Sequence, residues 1–408
     1  MKRVVMIAYH FPPLAGSSGI QRTLRFARHL PAFGWEPLIL TADTRAYERT
    51  AGDQLADIPE GLEVVRAPAW DTARHFAIGG RYPGFLARPD RWISWWLGAV
   101  PAGRKLIARF APQAIWSTYP IATAHRIGST LHAHSRLPWI ADFRDPMAQE
   151  GYPEDPATWR SFARIEADAI AHTAASTFTT PSALALYQQR YPEHASRMHL
   201  LENGYDEETF SSAAGGEPLN PGKLTLLHSG IVYPSERDPS ALFAALARLK
   251  RSAPDRYSLL KVRFRAPVHD ALLNQLAAQH GVQDAIETLQ PIGYRDALAE
   301  MLCADGLLIL QASNCNAQIP AKLYEYMRAG RPILVLSDPI GDTAATSRAS
   351  GLSAIAPLDD DSAIAALLEQ FVSAPDTGTH ATSTAVEGAS RLGRTRELAS
   401  LFDAACSR

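Results

Sequence analysis

Cysteine is scarce in this chain: three among 408 residues, Cys303, Cys315 and Cys406, with no CxxC spacing. So sparse and odd a set argues against a disulfide framework and a cysteine-rich zinc site, and fits a reducing compartment. An excess of one charge is also lacking. With 40 Lys and Arg against 42 Asp and Glu, the formal charge is −2, whereas a nucleic-acid binder would normally be basic. Long apolar runs are missing too. The most apolar stretch, Trp92–Val100 ended by Pro101, falls far short of the roughly 20 residues of a membrane helix. The opening run Val4–Tyr9 is too short for the apolar region of a signal peptide and is expected to be the first buried strand. No repeat of solenoid period occurs.

What is present is an ordinary globular composition, 46% hydrophobic, 20% charged and 9% aromatic, in a length that suits two or three domains. Short apolar runs alternate with helical patterns, the mark of βα units and a parallel sheet. Expected strands are Val4–Tyr9, Pro37–Ala42, Glu63–Ala67, Ala114–Thr118, Pro138–Asp142 and Ser176–Thr180. Between the first two, Ile20–Phe33 reads as a helix with Ile20, Leu24, Ala27 and Leu30 on its buried stripe and Arg22, Arg25 and His29 off it. Pro120–Ser135, Ala157–Ala174 and Ala183–Arg190, the last capped by Ser182, are further helices.

Asn203-Gly204 is a turn signal, and residues 210–222 are rich in Gly, Ser, Pro and Asn, a linker composition. The alternation then restarts with strands at Lys223–Ser229, Leu260–Phe264, Ile286–Gln290, Gly306–Leu310 and Pro332–Leu336. Helices are expected at Pro239–Arg251, His269–His280, Arg295–Cys303, Pro320–Ala329 and Ser362–Ser373, then a loop at Pro375–Glu387 and a last helix at Ala389–Ala405. The expected organisation is an α/β domain over residues 1–209, a linker at 210–222, a second α/β domain over 223–388 and a terminal helix over 389–408. Ligands of such domains bind at the carboxyl ends of the strands.

Four places carry candidate chemistry. In the first loop, Gly16 and Gly19 let backbone N–H groups approach a ligand ahead of a helix N-terminus. The spacing is neither GxGxxG nor a P-loop, and a plain glycine turn is the alternative. In the second domain Gly230 ends a strand and would admit a phosphate, with Arg237 as a bidentate donor or a merely solvated cation. Lys322 and Glu325 are three apart and share a face near a helix start, suited to diphosphate and ribose hydroxyls or to a surface ion pair. Asp142, Arg144 and Asp145 follow a strand. They suit an acceptor hydroxyl or charge beside a reacting carbon, or simply shape the loop before Pro146.

The segments FPPLAGSSGIQR, NGYDEETF, HSGIVYPSERDP and IPAKLYEYMRAGRPIL, in this order, resemble family-4 glycosyltransferases of the GT-B fold, in particular the bacterial branch that builds surface polysaccharides and glycoconjugates. The resemblance implies two Rossmann-like domains facing across a cleft, with the C-terminal helix crossing back to the first. It also implies a retaining, metal-independent transfer of a hexosyl group from a UDP- or GDP-linked sugar to a glycan or lipid-linked acceptor, with no other cofactor. By position, Gly16 and Gly19 would line the diphosphate and acceptor side. Arg237 and Lys322 would face the phosphates, and Glu325 would hold the ribose.

One departure stands out. The family motif has a glutamate eight residues before the last one, and Ala317 occupies that position. Contact with the donor sugar is left to Asn314, Asn316, Gln318 or backbone amides. Two other functions stay open, a nucleotide-sugar epimerase on the same fold and a non-catalytic nucleotide-sugar-binding subunit of an assembly complex. The expected place is the cytoplasm, with the inner membrane face as a contact surface. Trp92, Trp95 and Trp96 among Arg88, Arg91, Arg104 and Lys105 suit either that surface or the core. Asp359-Asp360-Asp361 precedes a helix and reads as its cap rather than as a metal-binding DxD.

Overall fold

A parallel strand covered on both faces has to be apolar on both, so its side chains alternate between two separate cores. The computed structural model, which describes residues 1–15, 19–52, 54–213 and 215–407, shows this in each of two compact units. The first comprises Met1–Asn203 with Arg391–Arg408, and the second Gly204–Ser390.

The first unit holds seven strands: β1 (Lys2–Ile7), β2 (Trp35–Ala42), β3 (Glu63–Ala67), β4 (Ala114–Thr118), β5 (Trp139–Arg144), β6 (Ala175–Phe178) and β7 (Met198–Leu200). All pair in parallel, in the order β3-β2-β1-β4-β5-β6-β7. Val5 and Ile7 enter one core, Val4 and Met6 the other. The second core is covered by the terminal helix Arg391–Cys406, whose Leu398 and Phe402 are buried and whose Phe402 ring lies 5.1 Å from that of Trp35. The C-terminal helix therefore packs on the first unit, as expected.

The second unit holds β8 (Leu224–Ser229), β9 (Leu260–Arg265), β10 (Ile286–Leu289), β11 (Gly306–Gln311), β12 (Ile333–Ser337) and β13 (Ile355–Ala356). They too are all parallel, in the order β10-β9-β8-β11-β12-β13. Leu308, Leu310, Leu334 and Leu336 face one core, and Leu307, Ile309, Ile333 and Val335 the other. In each unit the winding reverses beside the first strand, between β1 and β4 and between β8 and β11. That is where an open parallel sheet leaves a crevice at its carboxyl end.

Several local expectations change. Arg22 and Arg25 are buried rather than solvent-facing, at 2% and 3% exposure; Arg22 meets Asp142 and Arg25 meets Asp57. The helix Pro181–Arg190 is capped by Thr180, whose hydroxyl accepts from the Ala183 N–H, so Ser182 is not its cap. Pro101 does not end the apolar stretch around Trp95. A helix runs through it from Ser94 to Phe110, with Pro101 on the exposed side. Trp95 is fully buried there, and Trp92 and Trp96 are partly buried against the same core. The stretch expected to be loop at 375–387 contains the start of a short helix, Ser383–Gly388, capped by Thr382. Asp360 caps Asp361–Ser373 through the Ser362 and Ala363 N–H groups, as its sequence suggested.

Candidate functional site

From the carboxyl end of the second sheet the helix Lys322–Ala329 runs back to the start of β12, where Gly330 closes it with a left-handed φ of 65°. The helix is anchored by buried Leu323, Tyr324, Tyr326 and Met327. This leaves Lys322 and Glu325 on a common partly open face, one turn apart. The helix starts two residues after Pro320, which was expected in its first turn. Tyr326 reaches the end of β8, where its hydroxyl accepts from the Ser229 N–H at 2.9 Å.

Gly230 follows with φ 123°, a backbone conformation that only glycine adopts readily. Its own N–H is engaged by the Arg265 carbonyl at 2.8 Å. What it offers is therefore the missing side chain: a Cβ there would stand 2.9 Å from the Lys322 Nζ. The Lys322 ammonium donates to Nε2 of fully buried His228 at 3.2 Å, while His228 Nδ1 bonds the Leu308 carbonyl at 2.9 Å. This network assigns the proton to Nδ1 and leaves the ring neutral. Burial first, and then the Lys322 charge, hold His228 well below the usual histidine range.

Arg237 donates to the Ile231 carbonyl at 2.7 Å, stacks over Tyr233, and has a buried Nε without a partner. Both cations thus bond to neutral acceptors. Burial and then the Arg237 charge push Lys322 down to about 7, against the opposing pull of Glu325. Glu325 accepts from the Tyr294 hydroxyl at 2.7 Å. The arrangement is an under-neutralised cationic face beside a bare backbone, which attracts an anion with several oxygens.

Among the three amides considered for a donor sugar, Asn314 donates to the Ser235 carbonyl and Asn316 to Asp338. The Gln318 side chain is exposed, and its backbone carbonyl accepts from the Thr343 hydroxyl. A cavity of about 480 Å³ lies elsewhere in this unit, lined in part by Ser313 and by the carboxylates Asp238, Asp338 and Asp359. Its charge is wrong for a diphosphate. The Lys322 face, with two cations, has the opposite charge.

In the first unit, Asp142 is a buried ion-pair partner. Its two oxygens accept from Arg22 at 2.8 and 2.9 Å and from the Thr118 and Thr177 hydroxyls at 2.8 Å each, and it has no exposed surface. It is saturated. Between Asp142 and Arg144 the register of β5 with β6 shifts, and Arg144 takes φ 62°. Such a bulge re-aims a side chain, here toward the end of β1.

The Thr179 hydroxyl and N–H hold the Arg144 carbonyl, while the guanidinium reaches the Tyr119 carbonyl at 3.4 Å and keeps a buried Nε without a partner. A Cβ on Gly19 would lie 2.5 Å from His10 Nδ1 and 2.7 Å from Arg144 Nη1. Gly19 is thus what allows His10 and Arg144 to meet. Asp145, next to Arg144, is exposed. Burial, with Arg144 as the second cause, lowers His10 to about 4. A cavity of about 290 Å³ opens beside His10, lined also by Tyr9, Leu14, Ala15, Glu48, Arg49 and Trp92. Gly16 lies outside the described residues.

The structure therefore brings together Gly230, Arg237, Lys322 and Glu325 in one unit and Gly19, Arg144 and Asp145 in the other, and withdraws Asp142 into the core. Sequence reasoning missed His10, His228 and Tyr294. The available signal was a histidine just before each glycine loop, at the end of β8 and three residues after β1. Among the described residues no group of three His, Cys, Asp or Glu is placed to hold a metal, and no helix is long and apolar enough to cross a membrane.

Gly19→Ala is expected to lower any turnover by at least about tenfold, with little change in nucleotide affinity, because the added methyl displaces His10 and Arg144, whereas the cations Lys322 and Arg237 belong to the second unit. Steady-state kinetics beside a nucleotide titration checks it. Equal activity would show that the two side chains give way harmlessly.

No sequence-family model matches the chain, and no curated protein matches it either. Solved structures do. An α,α-trehalose-phosphate synthase (UDP-forming) from Burkholderia vietnamiensis superposes with TM-score 0.65 at 13% identity, over 100% of both chains. Anabaena HepE in complex with UDP-glucose gives 0.64 at 12%, over 99% of this chain and 100% of that one. Sucrose-phosphate synthase from Thermosynechococcus elongatus gives 0.61 at 15%, over 100% and 97%. At such identities the likeness shows the fold: two parallel-sheet α/β domains of the GT-B type.

Proposed function

We propose that this protein is a glycosyltransferase that draws its sugar from a nucleotide diphosphate donor, UDP-linked in the first instance. The observation that carries the reading is the pair of cations Lys322 and Arg237, bonded to neutral acceptors among the described residues beside side-chain-free Gly230. Protonated Lys322 and Arg237 neutralise the charge that grows on the leaving diphosphate as the glycosidic bond breaks. Glu325, steadied by Tyr294, accepts from the ribose hydroxyls, and exposed Gln318 lies on the donor-sugar side. Arg144 and Asp145, with Gly19 and Gly16, serve the acceptor, a glycan or lipid-linked sugar of a bacterial surface glycoconjugate.

On the resemblance to family-4 enzymes the transfer keeps the anomeric configuration, and on the cationic face it needs no metal. UDP and UDP-glucose complexes among the structural neighbours support the choice of base.

A second reading follows from Ala317, which stands where the family's first glutamate contacts the donor sugar: a subunit that binds nucleotide sugars without transferring them. Calorimetric titration with UDP and UDP-glucose tests the binding common to both. Glu325→Ala is expected to weaken both ligands by roughly tenfold, the loss of one or two hydrogen bonds to a charged group, without lowering the melting temperature. Unchanged affinity removes Glu325 from the site. Binding without turnover on any acceptor selects the second reading.

A further inference from the structure

Beyond any transferase site, the first unit carries an apolar surface. Five exposed large apolar side chains, Phe76, Ile78, Tyr82, Phe85 and Leu86, fall within residues 76–86, and Ile78 and Phe85 are 88% and 69% exposed. The segment is a closed excursion between β3 and the helix Ser94–Phe110. At its base Thr72 donates its hydroxyl to the Leu86 carbonyl at 2.6 Å and its N–H to the Arg91 carbonyl at 2.8 Å.

Two turns form its tips. Ile78 and Arg81 pair across Gly79-Gly80, both with positive φ (57° and 75°), a tight hairpin turn that lifts Ile78 into solvent. Phe85 sits in the short 3₁₀ turn Gly84–Ala87. Each apolar tip has an arginine within three residues, Arg81 or Arg88. Over residues 74–88 there are Arg74, Arg81, Arg88 and His75 but no Asp or Glu. Arg74 reaches back to the Tyr47 carbonyl, and Arg88 makes a long 3.5 Å contact with exposed Asp155. The chain as a whole is slightly acidic, so this cationic margin is local.

We propose that residues 74–88 dock the protein on an anionic lipid bilayer, with Ile78 and Phe85 entering the headgroup region and the arginines meeting lipid phosphates. Apolar residues at turn tips, each with an arginine within three residues, suit a deformable interface, where aromatic and apolar groups sit at headgroup depth and basic residues above them. A protein partner would favour a contiguous apolar patch ringed by mixed charge. The surface does not depend on the transferase reading.

Flotation of the full chain with phosphatidylcholine vesicles, with and without phosphatidylglycerol, tests it. The wild type is expected to float with the anionic vesicles and to partition about tenfold less onto neutral ones. Ile78→Ser/Phe85→Ser and, separately, Arg81→Glu are each expected to lose roughly tenfold, with unchanged melting temperature because these side chains are exposed. No flotation of the wild type, or equal partition of wild type and variants, overturns the proposal. So does a lipid-free dimer in gel filtration that Ile78→Ser/Phe85→Ser dissociates, since the patch then covers a second copy.

Discussion

Replacing Lys322 with methionine is expected to weaken UDP binding by about 10- to 100-fold, the worth of a charge-assisted hydrogen bond to a phosphate, while leaving the melting temperature unchanged or raised. The asymmetry follows from where the ammonium sits. It bonds to neutral His228, and burial and Arg237 hold it down to about 7 from the ordinary 10.5. The folded protein therefore resists the proton that the unfolded chain accepts, so between about pH 7 and 10.5 stability rises with pH. Methionine fills the same space without that penalty.

Ligand affinity runs the other way. The diphosphate needs the protonated form, so UDP binding should weaken as pH rises above about 7, by up to about tenfold per pH unit until the bound-state pKa is passed. The Lys322→Met variant should lose most of this slope. Titration calorimetry from pH 6 to 9, values chosen on the order of one to two units around that pKa, measures both. A pH-independent affinity in the wild type would take Lys322 out of the phosphate contacts.

Why Lys322 was legible from sequence and its neighbours were not comes down to reach along the chain. Lys322 and Glu325 share a helix, and a spacing of three puts them on one face whatever the tertiary structure does. His228 meets Lys322 only because β8 and the helix Lys322–Ala329 converge at one end of a sheet, across 94 residues of chain. Tyr294 reaches Glu325 across 31. Pairings of this kind are tertiary, and periodicity carries no trace of them.

The fold shows the same division. Strands with four or more buried apolar residues, such as β1, β2, β11 and β12, stand out from their surroundings. Edge strands β7 and β13, of three and two residues, were missed, since so short a strand offers no alternation to read. Arg22 was placed in solvent because an arginine off an apolar stripe usually is. The saturated carboxylate of Asp142, 120 residues away, makes its burial tolerable, with the Leu201 and Glu202 carbonyls taking further guanidinium N–H groups.

That pairing yields the largest expected effect on stability. Asp142→Asn should destabilise the fold by about 3–5 kcal/mol, the usual cost of breaking a buried pair by removing one charge. The variant leaves the Arg22 guanidinium, nearly inaccessible to water, facing an amide in place of the two charge-assisted hydrogen bonds it now makes. An amide also cannot accept on both sides, so one of the two Arg22 N–H donors loses its acceptor, and the Thr118 or Thr177 hydroxyl on that side has to turn from donor to acceptor.

The pH dependence has a definite sign. Burial pushes the Asp142 carboxyl up, but the Arg22 charge and hydrogen bonds, aided by Arg144 and Thr118, more than reverse this and hold it below the ordinary 3.8. Its contribution is thus complete above that value and disappears as pH falls through the depressed folded pKa. Urea unfolding at neutral pH should show the full loss in the variant, and the difference from wild type should shrink in acid. Arg22→Met added to Asp142→Asn should recover part of the loss, because the orphaned charge goes with it. Wild-type stability in Asp142→Asn together with lost turnover would return Asp142 to the reacting groups.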